Sequence, residues 1–401
     1  MAKRKIQKPT RFERMYKVWD YLRKNTDRRH PTSIAKMRKD ENINAYIGDK
    51  ETINRLLKDM ANIMNLEDGG SDYKPEAEWR LYFDDFKKFY GDKERYERDD
   101  SDEDYSYIAN VMRIKNLYYN RTFSEKEVDS IIEGIMATRT LDSKSAQELV
   151  RKVEDNMTTA FYKRTPRHIC KVQEPELADR ELLKDNLAII QKAIDDNVRI
   201  QFRFNGYSYE KKLEPVRAEM DELSPYYIVA SGGKYYLLAA KEYEGYKPNM
   251  SIWRIDLMTD IEIPGRNDRL HIKGIPRIPK KNVSNLPEKW SEDFQLKHLN
   301  MSFDKPVPVT LRIKSEKCED NPKKRVRPGY TFLHDWFGDS FTYIRTETKP
   351  PYDDIVRVEC SPYGMAHWAL QYSELVEVLE PESLREDIKN KIKALNEKYS
   401  L

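Results

Sequence analysis

Residues 50–58 gather Lys50, Thr52, Asn54, Arg55 and Lys58, side chains of the kinds that read duplex DNA. Arg and Asn can make paired hydrogen bonds to base edges, whereas Lys and Thr serve phosphates or single acceptors. Between them lie Ile53, Leu56, Leu57, Met60 and Ile63, apolar residues at helical spacing. That pattern predicts a helix over Lys50 to Met64 with one inner side and one side open to a duplex. Asp49 is placed to cap it, with Thr52 three residues on.

Two shorter helices are expected upstream. Pro9-Thr10 opens the first, over Arg11 to Lys24, with Phe12, Met15, Tyr16, Trp19 and Leu22 on one apolar face. Pro31-Thr32-Ser33 starts the second, which carries Ile34, Ala35 and Met37. Three short helices with a tight turn at Ile47-Gly48-Asp49 describe a helix-turn-helix, whose third helix lies in the major groove. Residues 65–82, with Gly69-Gly70 and Trp79-Arg80-Leu81-Tyr82-Phe83, are the candidate wing hairpin.

Charge supports a nucleic-acid-binding head. The chain of 401 residues carries a net +3, yet residues 1–60 alone hold 17 Lys and Arg against 8 Asp and Glu, a net +9 that leaves −6 for the rest. A basic end on a mildly acidic protein is the expected electrostatic footprint. The run Glu97 to Asp104 reads as a solvated linker.

Other chemistries find little support. The sequence lacks Gly-x-Ser-x-Gly, His-Glu-x-x-His, a phosphate loop and Gly-x-Gly-x-x-Gly. Its six histidines are scattered, and Cys170, Cys318 and Cys360 have no zinc-ligand spacing, so free thiols in a reducing cytoplasm are expected. No apolar run reaches the roughly 18–20 residues that span a bilayer. The basic start MAKRKIQKPTRFER has no apolar core behind it and is not expected to be a signal peptide. A non-enzyme without metal or cofactor, away from the membrane, is the expectation.

Further along, Val198–Phe204, Tyr226–Ser231 and Lys234–Ala240 are strand-like, with Asn205-Gly206 and Gly232-Gly233 as turn signals. A small, twisted antiparallel sheet is implied, preceded by a helix from Leu182 to Asp196. A capping box at Ser124 and Glu127 opens a helical segment running to Val153. Near the end, strands are expected at Val307–Ile313 and Ile355–Cys360, with a basic irregular stretch at 323–327 between them and a last helix from Glu382 to Tyr399.

Several of these stretches resemble parts of WYL-domain transcription regulators. Lys211-Lys212-Leu213-Glu214-Pro215, Tyr235-Tyr236-Leu237 after Ser231-Gly232-Gly233-Lys234, and Trp253-Arg254-Ile255-Asp256-Leu257-Met258 follow the order of WYL motifs. Tyr235 replaces the eponymous Trp, and Leu257 replaces a second Arg. Thr52-Ile53-Asn54-Arg55-Leu56-Leu57 is similar to the family's recognition helix, with Leu56 in place of an Asp. Tyr118-Tyr119-Asn120 through Phe123-Ser124 and Glu127 is similar to its helical connector. Gly364 to Tyr372 and Val376 to Pro381 resemble the C-terminal extension that accompanies WYL domains.

The resemblance implies an α+β multidomain chain: a winged helix-turn-helix head over 1–83, a charged linker and helical connector over 84–180, a small Sm-like β-barrel (the WYL domain) over 181–265, a linker over 266–306, and an α+β C-terminal module over 307–401. It also implies an anion site in the barrel at Phe204, Lys212, Tyr236 and Arg254, with Lys211 and Arg217 nearby. Phosphate oxygens would meet the Arg fork and bases the aromatic faces. Phe204 stands where relatives often have Tyr. A structural ion pair with Asp256 is the rival role for Arg254, and barrel core is the rival role for Phe204 and Tyr236. The function implied is a ligand-responsive, homodimeric regulator that binds a double-stranded operator and senses a nucleotide or short single-stranded nucleic acid. The alternative is an accessory protein of a CRISPR or phage-defence system that holds single-stranded RNA or DNA in the barrel.

Overall fold

The computed structural model describes residues 8–65, 74–75, 78–84, 114–139, 141–164, 180–315, 317–318, 321–325 and 329–399. Most of the candidate wing (66–73, 76–77), the acidic run at 97–104 and Cys170 lie outside these residues. The fold is mixed α/β, in two compact units, 1–175 and 176–401.

Unit 1 begins with α1 (Arg11–Asn25), α2 (Ile34–Lys39), α3 (Asn44–Ile47) and α4 (Lys50–Asn65). Thr10 and Glu13 close a capping box on α1, and Ser33 caps α2. The inner face of α1 is Met15, Val18, Trp19 and Leu22. Phe12 and Tyr16, expected on that face, are 78% and 51% exposed. The core draws on Val18 instead, which turns the start of the predicted stripe outward. Strand β1 (Leu81–Tyr82) pairs antiparallel with β2 (Tyr118–Tyr119), and Thr32 bridges Leu117. Ile114 and Leu117 join the cluster of Ile53, Leu57 and Met60. The chain therefore returns to the head after residue 83, which the division into a 1–83 head and an 84–180 connector did not foresee.

Buried Asn65 ties the end of α4 to this ribbon. Its Nδ2 donates to Leu81 O at 2.8 Å, and its Oδ1 accepts from the amides of Arg80 and Leu81 at 2.8 and 3.1 Å. The long connector helix is two helices, α5 (Glu125–Ala137) with the Ser124–Glu127 capping box and α6 (Ser143–Met157) capped by Asp142. They pack through Val128, Ile132, Val150 and Val153. Asp142 restarts the helix by binding the Ser145 amide at 2.8 Å.

Unit 2 opens with α7 (Arg180–Asp196), then β3 (Ile200–Tyr207), β4 (Leu213–Pro215), β5 (Asp221–Ser231), β6 (Lys234–Ala240), β7 (Met250–Arg254), a 3-10 turn at Ile255–Leu257, and β8 (Met258–Glu262). The sheet order is β4-β3-β5-β6-β7, with β8 pairing back onto β3. The sheet thus curls, and α7 packs on it through Leu183 and Ile190. Gly232 and Gly233, at φ +56 and +78, form the two-residue β5–β6 turn the sequence predicts. Asn205-Gly206 is not a turn: β3 runs through it, because Asn205 is buried and its Nδ2 donates to Leu257 O and Thr259 Oγ1, each at 3.0 Å. The reversal falls at Ser208–Lys211 instead, with Lys211 at φ +63.

Residues 266–306, expected as a linker, are packed. Ile278, Val283, Leu286, Phe294 and Met301 cover the second face of the sheet against Tyr226, Leu238 and Met250, and α8 (Phe294–Lys297) lies among them. His298 is buried here, its Nδ1 set 2.7 Å from Ser302 O and its ring stacked on Phe294. Burial pushes its pKa down, against the opposing pull of that hydrogen bond and Asp304. The unfolded state therefore takes up a proton first as pH falls. Stability is expected to be present above about pH 6.5 and to decline below it, and His298→Asn should flatten that slope in thermal melts. An unchanged slope would rule His298 out as its source.

The C-terminal module runs β9 (Val307–Ile313), a hairpin of β10 (Lys317–Cys318) and β11 (Asn321–Arg325), α9 (Thr331–Phe337), β12 (Thr342–Thr346), β13 (Asp354–Cys360), α10 (Pro362–Gln371), β14 (Val376–Glu380) and α11 (Glu382–Tyr399). The stretch read as irregular is partly the strand β11. The main sheet is antiparallel, in the order β12-β13-β9-β14. With the hairpin set aside, this is the β-α-β-β-α-β arrangement. Trp368 is its largest buried side chain, edge-on to Phe337 at 5.2 Å. At Gly364 a Cβ would meet Leu299 O at 2.7 Å, so the glycine lets α10 approach the 299–302 segment. Cys360 is a buried free thiol with its pKa raised to about 12 by burial and by Asp304.

Candidate functional site

Helix α4 is built as a firm rod. Ile53, Leu56, Leu57, Met60 and Ala61 anchor its inner side, and the Thr52 amide donates to Asp49 Oδ1 at 2.7 Å. Ile63, expected inside, is 71% exposed, and Ala61 takes the inner position. Gly48 precedes the helix at φ +68 and ψ −158, a region that side chains with a Cβ avoid. A Cβ there would also stand 2.4 Å from Arg14 Nη1. Gly48→Ala should therefore cost about 1–3 kcal/mol of stability, read from the melting curve. A neutral outcome would mean that the turn is not strained as drawn.

The five predicted DNA-reading residues are not equivalent. Lys50 and Arg55 are exposed, and Arg55 pairs with Glu51 at 2.7 Å one turn earlier. Such an exposed pair is worth little and opens readily for a base edge or phosphate. Thr52 and Lys58 are partly buried, and burial lowers the Lys58 pKa against the opposing effect of Asp59. Asn54 is only 1% exposed, so it belongs to the packed side of α4 and not to its open side. Arg11 from α1 pairs with Asp59 and reinforces this helix from outside.

The six candidate ligand residues of the curled sheet fall into three groups. Phe204 lies edge-on to Trp253 at 5.0 Å, in the cluster that also holds Phe202 and Leu237. Arg217 sits over the same Trp253, 5.8 Å from its ring, with its Nε 3.2 Å from the fully buried carboxylate of Asp221. Tyr236 packs into the other cluster, with Tyr226 and Leu238, directly across the β6–β7 ladder from Arg254. Lys211 and Lys212 occupy the exposed β3–β4 tip, where Lys212 Nζ pairs with Glu210 at 2.7 Å.

Arg254 makes the ion pair with Asp256 that the sequence raised beside ligand binding. Its Nε donates to Asp256 Oδ1 at 3.1 Å, and its Nη2 also pairs with that carboxylate, which is 4% exposed. This hydrogen bonding raises the Arg254 pKa. Burial raises that of Tyr236, while the nearby Arg254 opposes the rise. Tyr207, at the base of the hairpin, is close enough to bear on Arg254 electrostatically. Tyr209 at the tip is 94% exposed. Sequence reading missed both tyrosines, although they stand just before Lys211 and Lys212. Among the described residues no cluster of His, Cys, Asp and Glu is arranged to hold a metal, and no helix is long and apolar enough to cross a membrane.

No curated protein matches the chain. Similar solved structures include Proteasome accessory factor B/C (PafBC) of Arthrobacter aurescens, at 16% identity and a TM-score of 0.21, over 72% of this chain and 40% of that one. A CRISPR Cas-related protein is similar at 14% identity and a TM-score of 0.29, over 87% of each chain. The chain thus spans well under half the length of the first. A family model, the WCX domain, matches residues 305–395, the C-terminal β-α-β-β-α-β module.

Proposed function

We propose that the chain is a ligand-responsive, DNA-binding transcription regulator of the cytoplasm, acting as a homodimer and without enzymatic activity. The observation that carries this reading is the head. A helix, a bridged strand residue, two further helices, a capped fourth helix and a two-stranded ribbon follow in the order of a winged helix-turn-helix, on the basic end of the chain. Lys50 and Arg55, with Thr52 and Lys58 at the margin, contact the operator. Asn54 supports the helix from within.

The curled sheet is read as an Sm-like barrel of WYL type, because β8 returns to β3 after a single 3-10 turn and the quoted motifs fall on β4, β6 and β7. Its effector is a nucleotide or nucleic-acid-like anion, met by Lys211, Lys212 and the Tyr236–Arg254 pair. Phe204 and Arg217 act from the Trp253 side. The effector shifts operator affinity only if it binds the DNA-bound and free arrangements unequally.

One observation favours a second reading, an accessory protein that holds single-stranded RNA or DNA. The β3–β4 hairpin carries Tyr207 at its base and Tyr209 at its tip, followed by Lys211 and Lys212, aromatic and cationic side chains suited to stacked bases and phosphates. Binding to the protein's own upstream duplex and to a random single strand, in parallel over a salt series, separates the two. Sequence-dependent duplex binding with a steep salt slope is expected. Preferential single-strand binding that survives Arg55→Ala would instead favour the accessory protein.

A further inference from the structure

Unit 1 contains a cleft of about 550 Å³ on which the DNA-reading helix does not draw. Three segments wall it: Asp27–Arg29 leaving α1, Tyr119–Val128 running from β2 into the first turn of α5, and Met157–Thr159 with Tyr162 where α6 ends. That size suits a small organic ligand.

The charges around the cleft are unequally engaged. Glu127 is folded back on the Ser124 amide and hydroxyl, each at 2.8 Å. Asp27 accepts from the amides of Arg29 and His30, each at 2.7 Å, and from the His30 ring at 3.0 Å. Arg121 differs: its Nε and Nη2 are buried and make no hydrogen bond. Beside it is Arg23, whose Nε is likewise buried without a bond, although its other nitrogens reach Asn156 O at 3.0 Å and Asp20 Oδ1 at 3.1 Å. Burial, and then the like charge of Arg23, lower the Arg121 pKa. Two neighbouring guanidiniums with orphaned N–H groups are costly unless an acceptor completes them. Arg28 and Arg29 stand at the rim, and the positive end of the α5 dipole opens on the same space.

We propose that this cleft binds a small phosphate-bearing molecule, its phosphoryl oxygens taken by Arg121 with Arg23 behind it and Arg28 and Arg29 at the rim. A doubly charged tetrahedral anion matches several converging cations better than a lone carboxylate does. To meet it, Arg121 turns its guanidinium out of its present packing. The ligand would bind at a seam where α1 already meets α6, through Arg23 to Asn156 O and the Ala160 amide to Lys24 O at 2.8 Å. Occupancy would stiffen the joint between the head helices and the α5–α6 pair.

Calorimetric titration of the full chain with inorganic phosphate and pyrophosphate, against chloride at equal ionic strength, tests this. Saturable phosphate binding is expected, weakened about tenfold or more by Arg121→Gln and less by Arg121→Lys. Phosphate should also raise the melting temperature of the native chain and not that of Arg121→Gln. If that variant fails to fold, the arginine Nε–H resonances of the unaltered chain report the same contact, and one should shift and become protected on addition of phosphate. Equal binding by native chain and variant, or no more heat than chloride gives, overturns the proposal. Displacement of phosphate by a duplex without terminal phosphates would assign the cleft to a nucleic-acid backbone and overturn the small-molecule assignment.

Discussion

Replacing both Arg217 and Lys241 with methionine is expected to destabilise the fold by about 3–5 kcal/mol, because it strands a charge in the interior. Asp221 is 0% exposed, and its carboxylate is met by Lys241 Nζ at 2.8 Å and Arg217 Nε at 3.2 Å. The two cations are partly exposed, with side chains 25% and 39% accessible, so they can turn to water if the carboxylate is removed. The carboxylate has no such exit. Asp221→Asn alone should therefore cost much less than the double change, and adding it to the double variant should recover most of the loss. Urea unfolding of the full chain decides the matter. A double variant within about 1 kcal/mol of the native chain would mean that solvent reaches Asp221. Arg217 thus has structural work at Asp221 and Trp253, so a loss of effector binding in Arg217→Ala has to be read against its stability.

Arg55→Ala combined with Lys58→Ala is expected to weaken sequence-specific duplex binding strongly. A paired Arg–base contact contributes about 1–3 kcal/mol of discrimination, and each phosphate contact about one unit of salt slope. The double variant should lose roughly 10- to 100-fold in specific affinity, with a shallower salt dependence. Lys211→Ala with Lys212→Ala should leave duplex affinity unchanged in the absence of effector. Asn54→Ala should act differently, lowering the melting temperature, because that side chain is packed inside the head. If Arg55→Ala with Lys58→Ala binds a preferred duplex as tightly as the native chain, α4 is not the reading helix.

Local signals on the sequence were legible where one residue type answers one physical need. Gly232-Gly233 gave its turn, Ser124 and Glu127 their capping box, and Leu182–Asp196 a helix found at Arg180–Asp196. The errors have a common cause in tertiary contacts that periodicity does not carry. Asn205-Gly206 has the composition of a turn, yet Asn205 is held inside β3 by bonds to residues some fifty positions away. Residues 266–306 look like a proline-rich linker, yet their scattered apolar side chains cover one face of the sheet. Asn54 has the chemistry of a base reader but lies on the wrong side of its helix. Of the candidate ligand residues, the sequence raised the Arg254–Asp256 ion pair, which the structure contains, but not the division of the six into three groups. Arg121 gave no signal at all, since an unsatisfied guanidinium is a property of its surroundings.

The most direct test of the central claim is selection of the full chain on a random duplex library, followed by competition of the enriched duplex with a random single strand. The account predicts an enriched pair of half-sites about one helical turn apart, whose duplex outcompetes the single strand and whose enrichment disappears in Arg55→Ala. Failure to enrich any sequence, with the single strand displacing every duplex, would contradict it and move nucleic-acid binding to the hairpin tip of the curled sheet.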